Sequence, residues 1–250
     1  MPVDYGSRFP PITKMYILAS SLSIMLNATF FAYVLYADKL YDIGKCWTSW
    51  ILMVLPAIEL LKHYTVGGAF RLDGTARSSA STTGQHSKWS GNKTAPKRPS
   101  PALELLGALM VFLLAMLFYG FICLVLGAPL EQYEETVSLA FVLTSLTIFP
   151  IIIFIGYSET LQLLFTESLE LRTPIANGYL NLLKNNCIGV ILGAWGASVV
   201  APLDWDRPWQ VYPVPNMVGA IGGAFGMNLF TLASTIFFAF CYTGRKRGIV

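Results

Sequence analysis

Long apolar runs separated by short polar stretches constrain this chain more than any other feature. Six recur, near 15–36, 47–61, 105–126, 137–155, 187–200 and 217–242. A helix needs roughly 20 apolar residues to cross the hydrocarbon of a bilayer, where only helices and closed barrels satisfy their own backbone. The expectation is an all-α, multi-pass transmembrane helical bundle of about six spans, forming a single membrane domain over 1–250. Composition agrees, since 12% of the 250 residues are charged against about 25% in an average soluble domain. The second and fifth runs are the weakest. The second contains Pro56 and Glu59, and the fifth is short unless it extends through Pro202. Met15–Tyr36 is longer than the roughly 7 to 15 residues of a signal-peptide core, so it reads as a retained first span.

With six spans, the N-terminus, the loops after spans two and four, and the C-terminus share one side. That side carries fourteen of the 17 lysines and arginines, and the other holds only Lys39, Lys45 and Arg207. The positive-inside rule then puts both termini in the cytosol. The stretch 72–101, rich in Ser, Thr, Gly, Pro and Lys, reads as a disordered cytosolic loop, so the Asn92 sequon within it should carry no sugar. In 158–184, Leu161, Phe165 and Leu169 share a helical face and Thr173-Pro174 breaks the helix. That segment extends span four or lies along the interface. Lysine and arginine do not gather into a face suited to nucleic acid.

Chemistry-bearing motifs are sparse. Asp73-Gly74-Thr75-Ala76-Arg77 resembles the opening of the CDP-alcohol phosphotransferase motif, but it lacks one spacer residue and the following aspartates. Both histidines, His63 and His86, fall on the cytosolic side. The lumenal carboxylates Asp38, Asp42, Glu131, Glu134, Glu135, Asp204 and Asp206 form no recognisable site. Cys46, Cys123, Cys187 and Cys241 lack a CxxC pair and read as buried free thiols. No metal site and no cofactor are expected. Glu59 and Lys62 stand three residues apart near the cytosolic end of span two, where long side chains snorkel to the interface. Anchoring is the favoured role for them over an ion pathway.

Spans five and six carry small residues at helical spacing: Gly189, Gly193 and Ala197, then Gly219 and Gly223, with Gly222 and Gly226 one turn over. Such spacing lets backbones approach closely, so these helices are expected to pack tightly, on each other or on a partner. Asn228 adds a candidate interhelical hydrogen bond. Between them runs Pro-Leu-Asp-Trp-Asp-Arg-Pro-Trp-Gln, 202–210. Its prolines stiffen the backbone, and Trp205 and Trp209 suit the headgroup level. Asp204, Trp205, Asp206, Arg207, Pro208 and Trp209 form either an interfacial turn or a contact site for a partner or a lipid.

The sequence GAWGASVVAPLDWDRPWQVYPVPNMVGAIGG, 193–223, resembles the signature of the PIG-F family of glycosylphosphatidylinositol (GPI) anchor biosynthesis. A small-residue span, PLDWDRPWQ, an aromatic-proline step and a glycine-rich last span follow one another in the family's order. Tyr212 stands where the family often has Trp, and the 72–101 insertion is not part of the core pattern. The resemblance implies a multi-pass endoplasmic reticulum protein. It further implies a noncatalytic, stabilising subunit for large GPI ethanolamine phosphate transferases, which carry the metal-dependent lumenal domain and add phosphoethanolamine to GPI mannoses. Membrane lipid and the GPI intermediate are further partners under that reading. The alternative is a membrane enzyme or lipid carrier acting directly on GPI or phospholipid headgroups. Asp204 and Asp206 would then be its chelating or acid–base pair, although in an extended stretch they point to opposite faces.

Overall fold

A computed structural model of the chain describes residues 11–40, 42–45, 50–70, 100–166, 169, 171, 173–200 and 207–247. The loop expected over 72–101 lies outside the described residues up to position 99, as do Asp204, Trp205, Asp206, Cys46 and the sites at Asp73–Arg77, His86 and Asn92. Among the described residues, eight α-helices form the bundle: α1 Pro11–Tyr36, α2 Val54–Phe70, α3 Pro101–Val125, α4 Tyr133–Leu146, α5 Ile148–Ile155, α6 Tyr157–Thr166, α7 Pro174–Ala197 and α8 Val214–Arg247. Among the described residues the architecture is all-helical, with four helices long and apolar enough to cross a membrane: Pro11–Tyr36, Pro101–Val125, Tyr133–Ile155 and Val214–Cys241.

Local chemistry sets these boundaries. Pro101 and Pro174 open α3 and α7, where a missing N–H leaves no intrahelical bond unmade. The Thr173 hydroxyl caps α7 by accepting from the Ala176 amide at 3.2 Å. Thr173-Pro174 therefore starts a helix. Glu104 sits in the first turn of α3 and Glu134 and Glu135 in that of α4, where negative charge opposes the helix dipole. Pro150 offers no N–H to the Leu146 carbonyl, and α4 gives way to α5 at Thr147. Gly156, at φ 91°, turns the chain between α5 and α6.

The helix extents differ from the apolar runs at the two weak places. The second run, 47–61, becomes a 3-10 turn over Trp50–Met53 followed by α2, which continues to Phe70. The fifth grows backward to Pro174, through Asn177, Asn181, Lys184, Asn185 and Asn186, and ends at Ala197 with a 3-10 turn to Val200. Hydropathy underrates α7 because its first half is polar, although 24 residues reach about 36 Å at 1.5 Å per residue. In 158–184, α6 is a separate helix that buries Thr160 and Leu163, while Phe165 is exposed.

Neighbouring ends fix the helix directions. The Tyr16 hydroxyl donates to the Gly178 carbonyl at 3.0 Å, and a single cavity at the other end touches Phe31 of α1, Ala197 at the end of α7 and Val218 of α8. So α1 and α7 run parallel and α8 runs against both. Two apolar clusters fill the interior. One joins Phe30, Leu55, Leu143, Val190 and Met217; the other joins Met15, Val66, Phe154, Tyr179 and Leu183. Leu106, Leu117, Phe121, Phe230 and Phe238 are exposed, as suits helices facing lipid. Cys123 is buried, whereas Cys241 on α8 is exposed, contrary to the expectation of buried thiols throughout.

Candidate functional site

The α7–α8 seam is built on glycine. A Cβ placed on Gly193 would run into the Gly219 carbonyl and lie 2.8 Å from the Gly223 Cα. One on Gly189 would lie 2.6 Å from the Met227 Cβ and 2.7 Å from the Gly223 oxygen. Reciprocally, a Cβ on Gly219 meets the Gly193 carbonyl and the Ala197 Cβ, and one on Gly223 meets the Gly189 carbonyl. The obstacles are mostly backbone, which no rotamer change can move aside. Close approach of this kind stabilises membrane helices through dispersion, since lipid supplies no hydrophobic drive between them. Gly222 and Gly226 point the other way and have nothing within 4 Å of a built Cβ.

Asparagines pin the seam at both ends. Asn228 donates to the Asn186 side-chain oxygen at 2.8 Å and to the Ala224 carbonyl at 2.7 Å. Asn216 donates to the Ala194 carbonyl at 3.1 Å. Asn186 and Asn216 are absent from the candidate residues read from the sequence. Each sits three residues before a seam glycine, Gly189 and Gly219, and that shared helical face is the signal that finds them.

The connector between the two helices is fastened by Gln210. Its side-chain oxygen accepts from the Arg207 amide at 2.8 Å, and its amide nitrogen donates to the Val200 carbonyl at 3.2 Å. Residues 200 and 207 are thereby tied to one side chain, across the undescribed stretch that holds Asp204, Trp205 and Asp206. Pro208 opens a 3-10 turn over 208–210, Arg207 is exposed, and Trp209 is 36% exposed. Beneath Trp209 lies the apolar cavity, of about 250 Å³, lined also by Phe31, Leu40, Ala197 and Val218.

Tyr212 anchors the connector to α4. Its hydroxyl pairs with the Thr136 hydroxyl at 3.1 Å, and the next residue, Pro213, lies across a cis peptide bond. Burial pushes the Tyr212 hydroxyl up to about 12, with Cys123 and Glu135 adding to the rise and the Thr136 hydrogen bond opposing it. The group therefore remains a neutral hydrogen-bonding partner at physiological pH. Gly44 packs against the Pro213 ring, with a built Cβ 2.8 Å from its Cδ. The segment 42–45, the start of α4 and the entry to α8 thus meet at one end of the bundle.

Glu59 and Lys62 form an ion pair, each 1% exposed. This overturns the expectation of snorkelling anchors. The reason is the extent of α2: because the helix runs on to Phe70, the pair sits near its middle, enclosed by neighbouring helices. Among the described residues no three His, Cys, Asp or Glu side chains gather to hold a metal.

The chain matches the model of a family described as GPI biosynthesis protein family Pig-F over residues 12–232. It is 31% identical over 134 residues to the human protein named GPI ethanolamine phosphate transferase, stabilizing subunit, covering 52% of this chain and 59% of that one. It is 32% identical over 129 residues to the PIGF/3-ketodihydrosphingosine reductase fusion protein of Schizosaccharomyces pombe, covering 51% and 25%. Glycosylphosphatidylinositol anchor biosynthesis protein 11 of Debaryomyces hansenii is 28% identical over 124 residues, covering 49% and 51%. The matched regions thus span between a quarter and about three fifths of these relatives. No solved structure matches.

Proposed function

Because the chain belongs to the GPI biosynthesis protein family Pig-F, we propose that it is a noncatalytic, stabilising subunit of GPI ethanolamine phosphate transferases in the endoplasmic reticulum membrane. The name of the human relative supports the subunit role. The observation that carries the reading here is the unequal use of the glycines on α8. Gly219 and Gly223 are consumed by α7, while Gly222 and Gly226 face outward on the same helix with open space before them. A rigid hairpin that keeps a second small-residue groove open is suited to receive a helix of the larger transferase.

Six spans with cytosolic termini complete the proposal. The alternation of α1, α2, α7 and α8 supports it, as does the excess of lysine and arginine on the cytosolic loops. The connector 202–210 then lies on the lumenal side, with Asp204, Trp205, Asp206, Arg207, Pro208 and Trp209 positioned to brace the partner or a lipid headgroup. The cavity under Trp209 has room for part of a hydrocarbon chain.

Co-purification tests the reading. Leucine at both Gly222 and Gly226 should reduce recovery of the large transferase at least severalfold while the thermal stability of the subunit alone is unchanged. Alanine at Arg207 should weaken association less. Full recovery and full phosphoethanolamine transfer with the double leucine variant would remove the groove from the proposal.

A further inference from the structure

Buried polar side chains lie between the two apolar clusters on several helices, a layer about two helical turns thick on α1. On α1, Ser20, Ser23 and Asn27 lie between Ala19 of one cluster and Phe30 of the other. On α2, Glu59 and Lys62 lie between Ile58 and Val66. On α4, Ser145 falls beside Leu146, where the first cluster ends. On α7 and α8, Asn186 and its partner Asn228 occupy the corresponding positions. All are at most 2% exposed. The residues on α1, α2, α7 and α8 lie near the middles of their helices, Ser145 lies near the middle of the α4–α5 rod, and the parallel course of α1 and α7 brings the first of these together.

Parts of the layer are directly connected. Asn27 donates to Ser23 at 3.4 Å, and Asn228 donates to Asn186 at 2.8 Å. The Cys187 thiol donates to the Thr147 carbonyl at 3.4 Å. Tyr179 and Cys187 both lie within reach of the Glu59 charge. Six buried side-chain atoms remain without a hydrogen-bond partner among the described residues, and four of them belong to this layer: Ser20 Oγ, Asn27 Oδ1, Glu59 Oε2 and Ser145 Oγ; the other two are His63 Nδ1 and Gln132 Oε1. Lys62 lies against that Glu59 oxygen as an ion pair without an aligned hydrogen bond.

A buried polar atom left unpaired costs about 1 to 3 kcal/mol, and more when charged, whereas immobilising a water costs at most about 2 kcal/mol. Three unpaired neutral atoms, together with the Glu59–Lys62 ion pair that lacks an aligned hydrogen bond, therefore favour bound water over a dry interior. Ionisable side chains inside a membrane likewise belong against protein partners or water.

We propose that this layer is a hydration site, where waters bound at mid-depth between α1, α2, α4 and α7 are held by Ser20, Asn27, Glu59 and Ser145. The site is independent of the transferase partner and of the outward groove on α8.

X-ray hydroxyl-radical footprinting of the full chain in lipid nanodiscs, in ¹⁸O water, reads it directly. Bound water generates radicals in place. Tyr179, as fully buried as Met217 and likewise packed in an apolar cluster, should therefore take up ¹⁸O at least tenfold faster than Met217, and the half-buried Cys187 should label as well. Methionine is intrinsically more reactive than tyrosine, so chemistry alone would give the opposite order for Tyr179. The labelling should survive a scavenger confined to bulk solvent. Combined Ser20→Ala and Ser145→Ala should lower it severalfold at Cys187, with Met217 unchanged. Labelling of Tyr179 no faster than Met217, or labelling abolished by the bulk scavenger, would overturn the proposal. The wild-type contrast decides the matter even where the double variant does not fold.

Discussion

Alanine at Gly193 should loosen the α7–α8 hairpin, and the size of the effect follows from the seam. The added Cβ would sit in the Gly219 carbonyl and 2.8 Å from the Gly223 Cα. Both obstacles are backbone, so the helices must separate by about 1 Å, a gap that forfeits a quarter to a half of each dispersion contact across it. Overpacking of this kind costs about 1 to 3 kcal/mol. Straining the Asn228–Asn186 hydrogen bond adds about 0.6 kcal/mol. Alanine's better helix propensity returns about 1 kcal/mol, leaving a net loss of about 0.6 to 2.6 kcal/mol, or roughly three- to eightyfold in the folding equilibrium. The assay is thermal or denaturant unfolding of the purified protein in bicelles, monitored by tryptophan fluorescence. The control is Gly222→Ala, which has open space around it and should be neutral or slightly stabilising. Equal stability of Gly193→Ala and wild type, or equal damage from the two substitutions, would refute the close-packing argument.

Two further outcomes follow from buried polar groups. Methionine at Lys62 leaves Glu59 without its countercharge and should destabilise by about 3 to 5 kcal/mol, while Glu59→Leu combined with Lys62→Met should recover most of the loss; the same unfolding assay reads both. For Tyr212, the folded hydroxyl is raised from 10.0 to about 12. Between those values the folded state holds a proton that the unfolded state has released, so stability is fully present below pH 10 and falls as pH rises toward 12. Phenylalanine at Tyr212 should remove that alkaline loss and cost about 1 kcal/mol at neutral pH through the Thr136 hydrogen bond.

Much of the fold was legible because it rests on local chemistry. Apolar runs of span length marked α1, α3, the α4–α5 rod and α8, for hydrophobicity is imposed residue by residue, by lipid on α3 and α8 and by the packed interior on the α4–α5 rod. Thr173-Pro174 marked a helix boundary, though it opens α7 where a break was expected. The runs at 47–61 and 187–200 misplaced α2 and α7 for one reason. A polar residue facing another helix is as compatible with the bilayer as an apolar one facing lipid, and composition cannot tell the two apart. The interior Asn186 and the extension of α2 to Phe70 were hidden in that way.

The sequence by itself determined that this chain is a helical membrane protein of the Pig-F family, that α7 and α8 carry faces of small residues, and that a segment rich in Pro and Trp joins them. Those properties reside in spacing and residue type. Tertiary structure alone decided which glycines are spent, Gly193 against Gly219 and Gly189 against Gly223, and which stay open, Gly222 and Gly226. It alone placed Glu59 and Lys62 in the middle of the bundle. Direction around a helix axis acquires meaning only when a neighbour occupies one side, and the position of that neighbour is a property of the packed bundle.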